Sequence, residues 1–95
     1  MSVAGKIIFR THAIKRMFQR RVDGKDVRSV LETGEIVEKY PDDTPYPSRL
    51  MLGWIGRRPL HVVAADNVAS NETIVITVYE PDQGRWGPDF KRRIL

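Results

Sequence analysis

Past Gly34 the apolar residues of this chain stop recurring every three or four positions and begin to alternate with polar ones. Amphipathic helices need the first spacing and half-buried strands the second, so the switch divides the chain into a helical part and a sheet part. Before it, Ile14, Met17 and Phe18 stand at i, i+3 and i+4, as do Val27, Val30 and Leu31. After it come candidate strands at 35–39, 49–55, 60–66 and 73–80. The last of these, TIVITVYE, is rich in the β-branched side chains that suit a pleated sheet. Consecutive strands after two helices predict an α+β fold: two N-terminal helices forming a hairpin packed on one face of a four- to five-stranded antiparallel sheet.

Local signals set the boundaries. Thr11 reads as the N-cap of a first helix that runs to about Arg20 and buries Ile14, Met17 and Phe18. Asp23 opens the second helix with Asp26 as a partial capping box, and Gly34 follows its end. One domain is expected over 1–95: a mobile tail at 1–5, the helical hairpin with a leading strand at 6–34, the sheet at 35–80, and a closing loop and basic tail at 81–95 that ends in a helical turn. The Pro- and Asp-rich loop 40–48 suits either a homodimer contact or a lid. Strand alternation turns Leu60, Val62, Ala64, Ile74, Ile76 and Val78 toward the helices. His61, Val63, Ala65, Val75, Thr77 and Tyr79 then share the opposite face, which is left open for a ligand.

Composition excludes several functions. The 95 residues, 41% hydrophobic, support one modest core. No apolar run approaches the roughly 18 residues of a membrane span, and MSVAGKIIF is too short for a signal peptide. With no cysteine and two histidines, neither a disulfide framework nor a thiolate or histidine-rich metal site is available, and no cofactor motif is present. A reducing cytoplasm is the expected compartment. The net charge of +4 is unevenly spread, with +6 over 1–28, −5 over 29–84 and +3 over 85–95. A fold that joins the two ends would present a positive face to a phosphate polymer such as RNA.

Two groups of residues could carry chemistry on that face. His12, Arg16 and Arg20, spaced by four, line one side of the first helix. Guanidinium forks bind phosphate oxygens in pairs, and an imidazole beside them moves a proton near neutral pH. His61, Thr77 and Tyr79 form the second group, on the open sheet face. Arg57-Arg58 and the tail cations Lys91, Arg92 and Arg93 could clamp a backbone, and Trp54 and Trp86 could stack on bases. The alternative for each is a solvated charge or a core residue that binds nothing.

The run Phe9-Arg10-Thr11-His12-Ala13-Ile14-Lys15-Arg16-Met17 resembles the opening motif of a prokaryotic family, DUF4258. The resemblance continues through Val27–Leu31 and Gly34–Tyr40, then Pro59–Val63 and Ile76–Pro81. More distantly, such domains are similar to RelE/ParE-like toxins of the barnase–EndoU–colicin–RelE ribonuclease fold. The resemblance implies helices on an antiparallel sheet and metal-independent RNA cleavage through a 2′,3′-cyclic phosphate. His12 and Arg16, His61 and Tyr79, and Arg92 or Arg93 match its motifs. With Arg20 and Thr77 from the two groups above, His12, His61 and Tyr79 would be the catalytic groups and Arg16, Arg20, Thr77, Arg92 and Arg93 would hold phosphate. RNA and a cognate antitoxin are the partners it implies. A non-catalytic module that binds nucleic acid or protein is the competing expectation.

Overall fold

The structure, a computed structural model, describes residues 5–94. The elements are β1 (Lys6–Phe9), α1 (Thr11–Arg20), α2 (Gly24–Thr33), β2 (Glu35–Tyr40), β3 (Ser48–Ile55), β4 (Arg58–Asn67) and β5 (Glu72–Tyr79). They form an α+β fold around one five-stranded sheet in the spatial order β1-β5-β4-β3-β2. From β2 to β5, neighbours run antiparallel. The wholly antiparallel expectation is corrected at β1, which lies parallel to β5 with Ile8 opposite Ile74. Both helices and three strands separate β1 from β5 in the chain, so no hairpin turn dictates their relative direction. Of the tail expected over 1–5, residues 1–4 lie outside the described residues.

The helices form as the sequence signals direct, with three corrections. Asp23 caps α2: its side chain accepts the Asp26 N–H at 2.9 Å, and the Asp26 carboxylate accepts the Asp23 N–H at 3.1 Å. Thr11 is instead the first residue of α1, and the preceding Arg10 makes no side-chain cap. Three residues join the helices, and Arg21, in the left-handed conformation with φ 55°, stops α1. Each helix settles separately on the sheet, α1 on β5 and α2 on β3 and β4, so they lie side by side on one face rather than as a tightly packed hairpin. The expected stripe of α1 is also corrected. Ala13 and Met17 face the core, whereas Ile14 is 54% exposed and Phe18 87% exposed. Small Ala13 draws the helix close to the sheet and turns the bulkier pair outward.

Between helices and sheet lies the main core: Val27, Val30 and Leu31 pack with Met51, Leu60, Val62, Ala64, Val75 and Val78. The second sheet face carries its own cluster, Leu50 and Leu52 under Trp86 and Phe90. That overturns the expectation of an open face, since residues 81–94 fold back across part of it. Those residues form no helical turn at their end, over 89–94. They close on themselves through an isolated antiparallel bridge between Trp86 and Arg93. A bulge between the Val63 and Ala64 positions of β4, set against Thr77 and Val75, places Ile76 as an extra residue of β5. The alternation therefore slips there: Val75 joins the main core, while Ile74 and Ile76 join Ala65 around a small pocket away from it.

α2 reaches β3 across Gly53, where a Cβ would stand 2.5 Å from Val30 Cγ2 and 3.0 Å from its Cβ. Val30 is β-branched and stiff, so it cannot swing aside. Gly53→Ala is expected to lower stability by about 1–3 kcal/mol through overpacking. At Gly56 (φ +61°), nothing lies within 4 Å of the Cβ position, and Asn tolerates that conformation, so Gly56→Asn is expected to cost less than Gly53→Ala. Thermal unfolding followed by circular dichroism checks the order.

Candidate functional site

β1 ends opposite Val75, and the Arg10 N–H bonds the Val75 carbonyl at 3.0 Å before the chain turns into α1. Ile76–Tyr79 thus has no strand on that side, and α1 takes the vacant edge. A cleft of about 350 Å³ opens there. Arg16 and Arg20 of α1 form one wall, Thr77, Tyr79 and Glu80 come from β5 and its end, and Asp82, Arg85, Trp86 and Arg93 come from the closing segment. Five of the eight residues expected from the sequence, Arg16, Arg20, Thr77, Tyr79 and Arg93, therefore meet in one place.

A sixth lies directly behind. His61 pairs with Tyr79 across β4 and β5 and has no exposed surface. Its Nε2 lies 2.8 Å from the Phe90 carbonyl oxygen. A carbonyl only accepts, so Nε2 carries the proton and donates it. Burial lowers the His61 pKa and the neighbouring Arg93 charge adds to that, while the Phe90 bond and Glu38 work the other way. The neutral ring leaves Nδ1 as an acceptor for the Tyr79 hydroxyl, 3.2 Å away. The Trp86 ring meets the imidazole edge-on at 4.5 Å. Burial likewise raises the Tyr79 pKa, opposed by Arg93, so the phenol holds its proton.

Arg93 is fixed from two sides. Its guanidinium sits 4.7 Å over the Trp86 ring. It also donates through Nε and Nη2 to the two Glu38 oxygens, at 3.3 and 3.1 Å. These Arg93 bonds, followed by the Tyr40 hydroxyl, hold the Glu38 carboxyl below its ordinary range. Arg58, expected to clamp a ligand, bonds the Arg20 carbonyl at 2.7 Å and approaches Glu80 at 3.5 Å, tying the β3–β4 hairpin to the end of α1. Arg16, Arg20 and Arg85 have no carboxylate within ion-pair distance among the described residues, so the cleft keeps a cationic excess.

His12 and Arg92 stand apart. His12 is exposed on α1 and does not line the cleft, and Arg92 is exposed with its carbonyl accepting the Gly87 N–H. Trp54 packs edge-on against Phe90 at 5.9 Å and is 52% exposed. Glu80, Asp82, Arg85 and the Phe90 carbonyl were not among the expected site residues. Arg85 was visible only as part of the positive count of the last segment, and a backbone acceptor leaves no mark in a sequence. No helix among the described residues is long and apolar enough to cross a membrane.

The buried neutral imidazole sets a pH dependence. Below the ordinary histidine value of 6.5, the unfolded chain gains a proton that folded His61 resists, so stability falls as pH drops and is unaffected by this group above that range. The thermal midpoint is expected to decline below about pH 6.5, and long-range proton–nitrogen NMR to show the His61 Nε2–H tautomer persisting there.

The comparisons with known proteins show a family for the chain. No curated protein and no solved structure matches it significantly. The family model described as domain of unknown function DUF4258 matches residues 9–80, a span that holds both helices and all of β2 to β5. The chain belongs to the DUF4258 family.

Proposed function

We propose that the cleft binds the phosphodiester backbone of RNA and cleaves it with the Tyr79–His61 pair as its proton carrier. The observation that carries this reading is that Tyr79 lines a cleft in which Arg16, Arg20, Arg85 and Arg93 outnumber Glu80 and Asp82, with its hydroxyl 3.2 Å from a buried neutral imidazole. Guanidinium groups around a hydroxyl that can pass its proton inward meet the two needs of phosphoryl transfer, charge stabilisation and proton transfer.

In this mechanism an RNA 2′-hydroxyl attacks the adjacent phosphorus while its proton passes to Tyr79 Oη. The Tyr79 proton moves to His61 Nδ1, and the imidazolium keeps its Nε2–H on the Phe90 carbonyl. The P–O5′ bond breaks, and the proton returns through Tyr79 to the leaving oxygen. A 2′,3′-cyclic phosphate and a 5′-hydroxyl result, with the protein unchanged. Arg16, Arg20 and Arg93 face the charge that builds on the non-bridging oxygens, and Thr77 adds a hydroxyl to the same wall. His12 and Arg92, outside the cleft, take no step.

The complete burial of His61, with both ring nitrogens engaged, favours a second reading. On that reading the pair is a satisfied piece of core, and the cleft binds a phosphate polymer without turnover.

The test is incubation of the protein with single-stranded RNA in excess EDTA, with product ends read by mass spectrometry and binding by fluorescence anisotropy. Cyclic phosphate ends are expected, and Tyr79→Phe is expected to slow their formation by about 100- to 10,000-fold with binding retained. Arg16→Ala and Arg20→Ala are each expected to weaken binding and reduce its logarithmic salt slope by about 0.7. Salt-sensitive binding with intact RNA supports the second reading, and neither binding nor cleavage overturns both.

A further inference from the structure

α1 carries two apolar faces. Ala13 and Met17 meet the core, and on the outer flank Ile14 and Phe18 stand one turn apart with large exposed areas. An aromatic ring 87% exposed on a helix, paired with an exposed isoleucine, contributes nothing to the packing of this domain. The surroundings of the pair are equally one-sided. From Arg10 to Arg21 the chain has five Lys or Arg residues and no Asp or Glu. Arg16 and Arg20 are committed to the cleft. Lys15 on the same helix and Arg21 at its end are exposed, and neither forms an ion pair among the described residues.

We infer that the Ile14–Phe18 ridge is the docking surface for an acidic amphipathic helix of another polypeptide. In the complex, the partner's apolar stripe covers Ile14 and Phe18, and carboxylates along its borders meet Lys15 and Arg21. The i, i+4 spacing of the ridge is the anchor spacing by which helices recognise apolar stripes and grooves. A second copy of this chain is a poor occupant, because a second α1 would bring the same cations face to face. The acids of β2 do not help a second copy either, since Glu35 is held by Lys91 at 3.0 Å and Glu38 by Arg93. Two apolar side chains also fall short of the broad face that interfacial helices sink into a lipid surface. This inference does not depend on the activity proposed for the cleft.

The experiment uses the whole protein and a fluorescent synthetic helix of roughly 18 residues, with Leu at i, i+3, i+4 and i+7 spacing and Glu at the border positions. A control peptide has the same composition scrambled to break the spacing. In fluorescence anisotropy the patterned peptide is expected to bind at least about tenfold more tightly than the control, and Phe18→Ala and Ile14→Ala are each expected to weaken it about tenfold. Arg21→Glu is expected to weaken binding and reduce its dependence on salt. Phe18→Ala is expected to keep the wild-type melting temperature, because the removed ring is 87% exposed, and Ile14→Ala to lower it only slightly. Equal binding of the two peptides, or indifference to Phe18→Ala, overturns the proposal. Two further outcomes also overturn it: a wild-type dimer in sedimentation that Phe18→Ala makes monomeric, and Phe18-dependent binding to vesicles of phosphatidylcholine with about one-third phosphatidylserine that the peptide does not displace.

Discussion

A buried imidazole needs a partner for each nitrogen, and His61 obtains one from the neighbouring strand and one from the closing segment. Tyr79 supplies one across the β4–β5 ladder, and the Phe90 carbonyl supplies the other from the closing segment. Leaving either nitrogen unpaired at a site with no solvent access would cost about 1–3 kcal/mol. The segment that follows β5 is thus drawn back across the second sheet face. Trp86 packs against the imidazole on the way, and Lys91 and Arg93 pin the segment to Glu35 and Glu38 of β2. The individual surface pairs are each weak, but they hold a segment whose apolar anchors are already buried.

The placement of the closing segment makes the cleft, and two irregularities of the sheet decide what lines it. Because β1 stops opposite Val75, α1 can lie along the uncovered half of β5 and present Arg16 and Arg20 at the sheet edge. Because β5 bulges at Ile76, Val75 and Val78 both reach the main core while Thr77 and Tyr79 turn to the other side. A regular β5 would alternate strictly, and Val75 would then share the face of Thr77 and Tyr79. The bulge lets one strand serve a fully apolar core along its length and a polar wall at its end.

These devices explain what could and could not be read from the sequence. The periodicity switch at Gly34, the Asp23 capping box and the succession of strands along the chain follow from local chemistry, and the structure follows them. That His61, Thr77 and Tyr79 share a face was legible, since alternation puts them on one side once the two strands are neighbours. Which residue stands opposite which is set by register and was not legible. The parallel β1 was not, because strand direction without a connecting turn is a tertiary choice. Nor was the α1 face: Ile14, Met17 and Phe18 satisfy the helical spacing as well as Ala13 and Met17 do, and only contact with the sheet selects between them. The strict alternation read over 73–80 failed at the bulge, where one extra residue reverses the sides of everything before it. The closing segment was the least legible part, since its anchoring rests on a backbone carbonyl and on two rings, Trp86 and Phe90, with no periodic pattern between them.

α1 bears consequences on every side while being held by little. It has no side-chain N-cap, buries only Ala13 fully, and leaves its two largest apolar residues outside. Its last turn is closed by the Arg21 and Val22 N–H groups on the Phe18 and Met17 carbonyls, and Arg58 adds to this by donating to the Arg20 carbonyl at 2.7 Å while approaching Glu80 at the cleft wall. A cation at a helix C-terminus stabilises the end of the helix dipole as well as the orphan carbonyl. The same guanidinium thereby fixes the distance between Arg20 and the end of β5, the two sides of the cleft. The positive excess at the start of the chain is useful there only because a cation from its acidic middle, on the β3–β4 hairpin, anchors the helix that carries it.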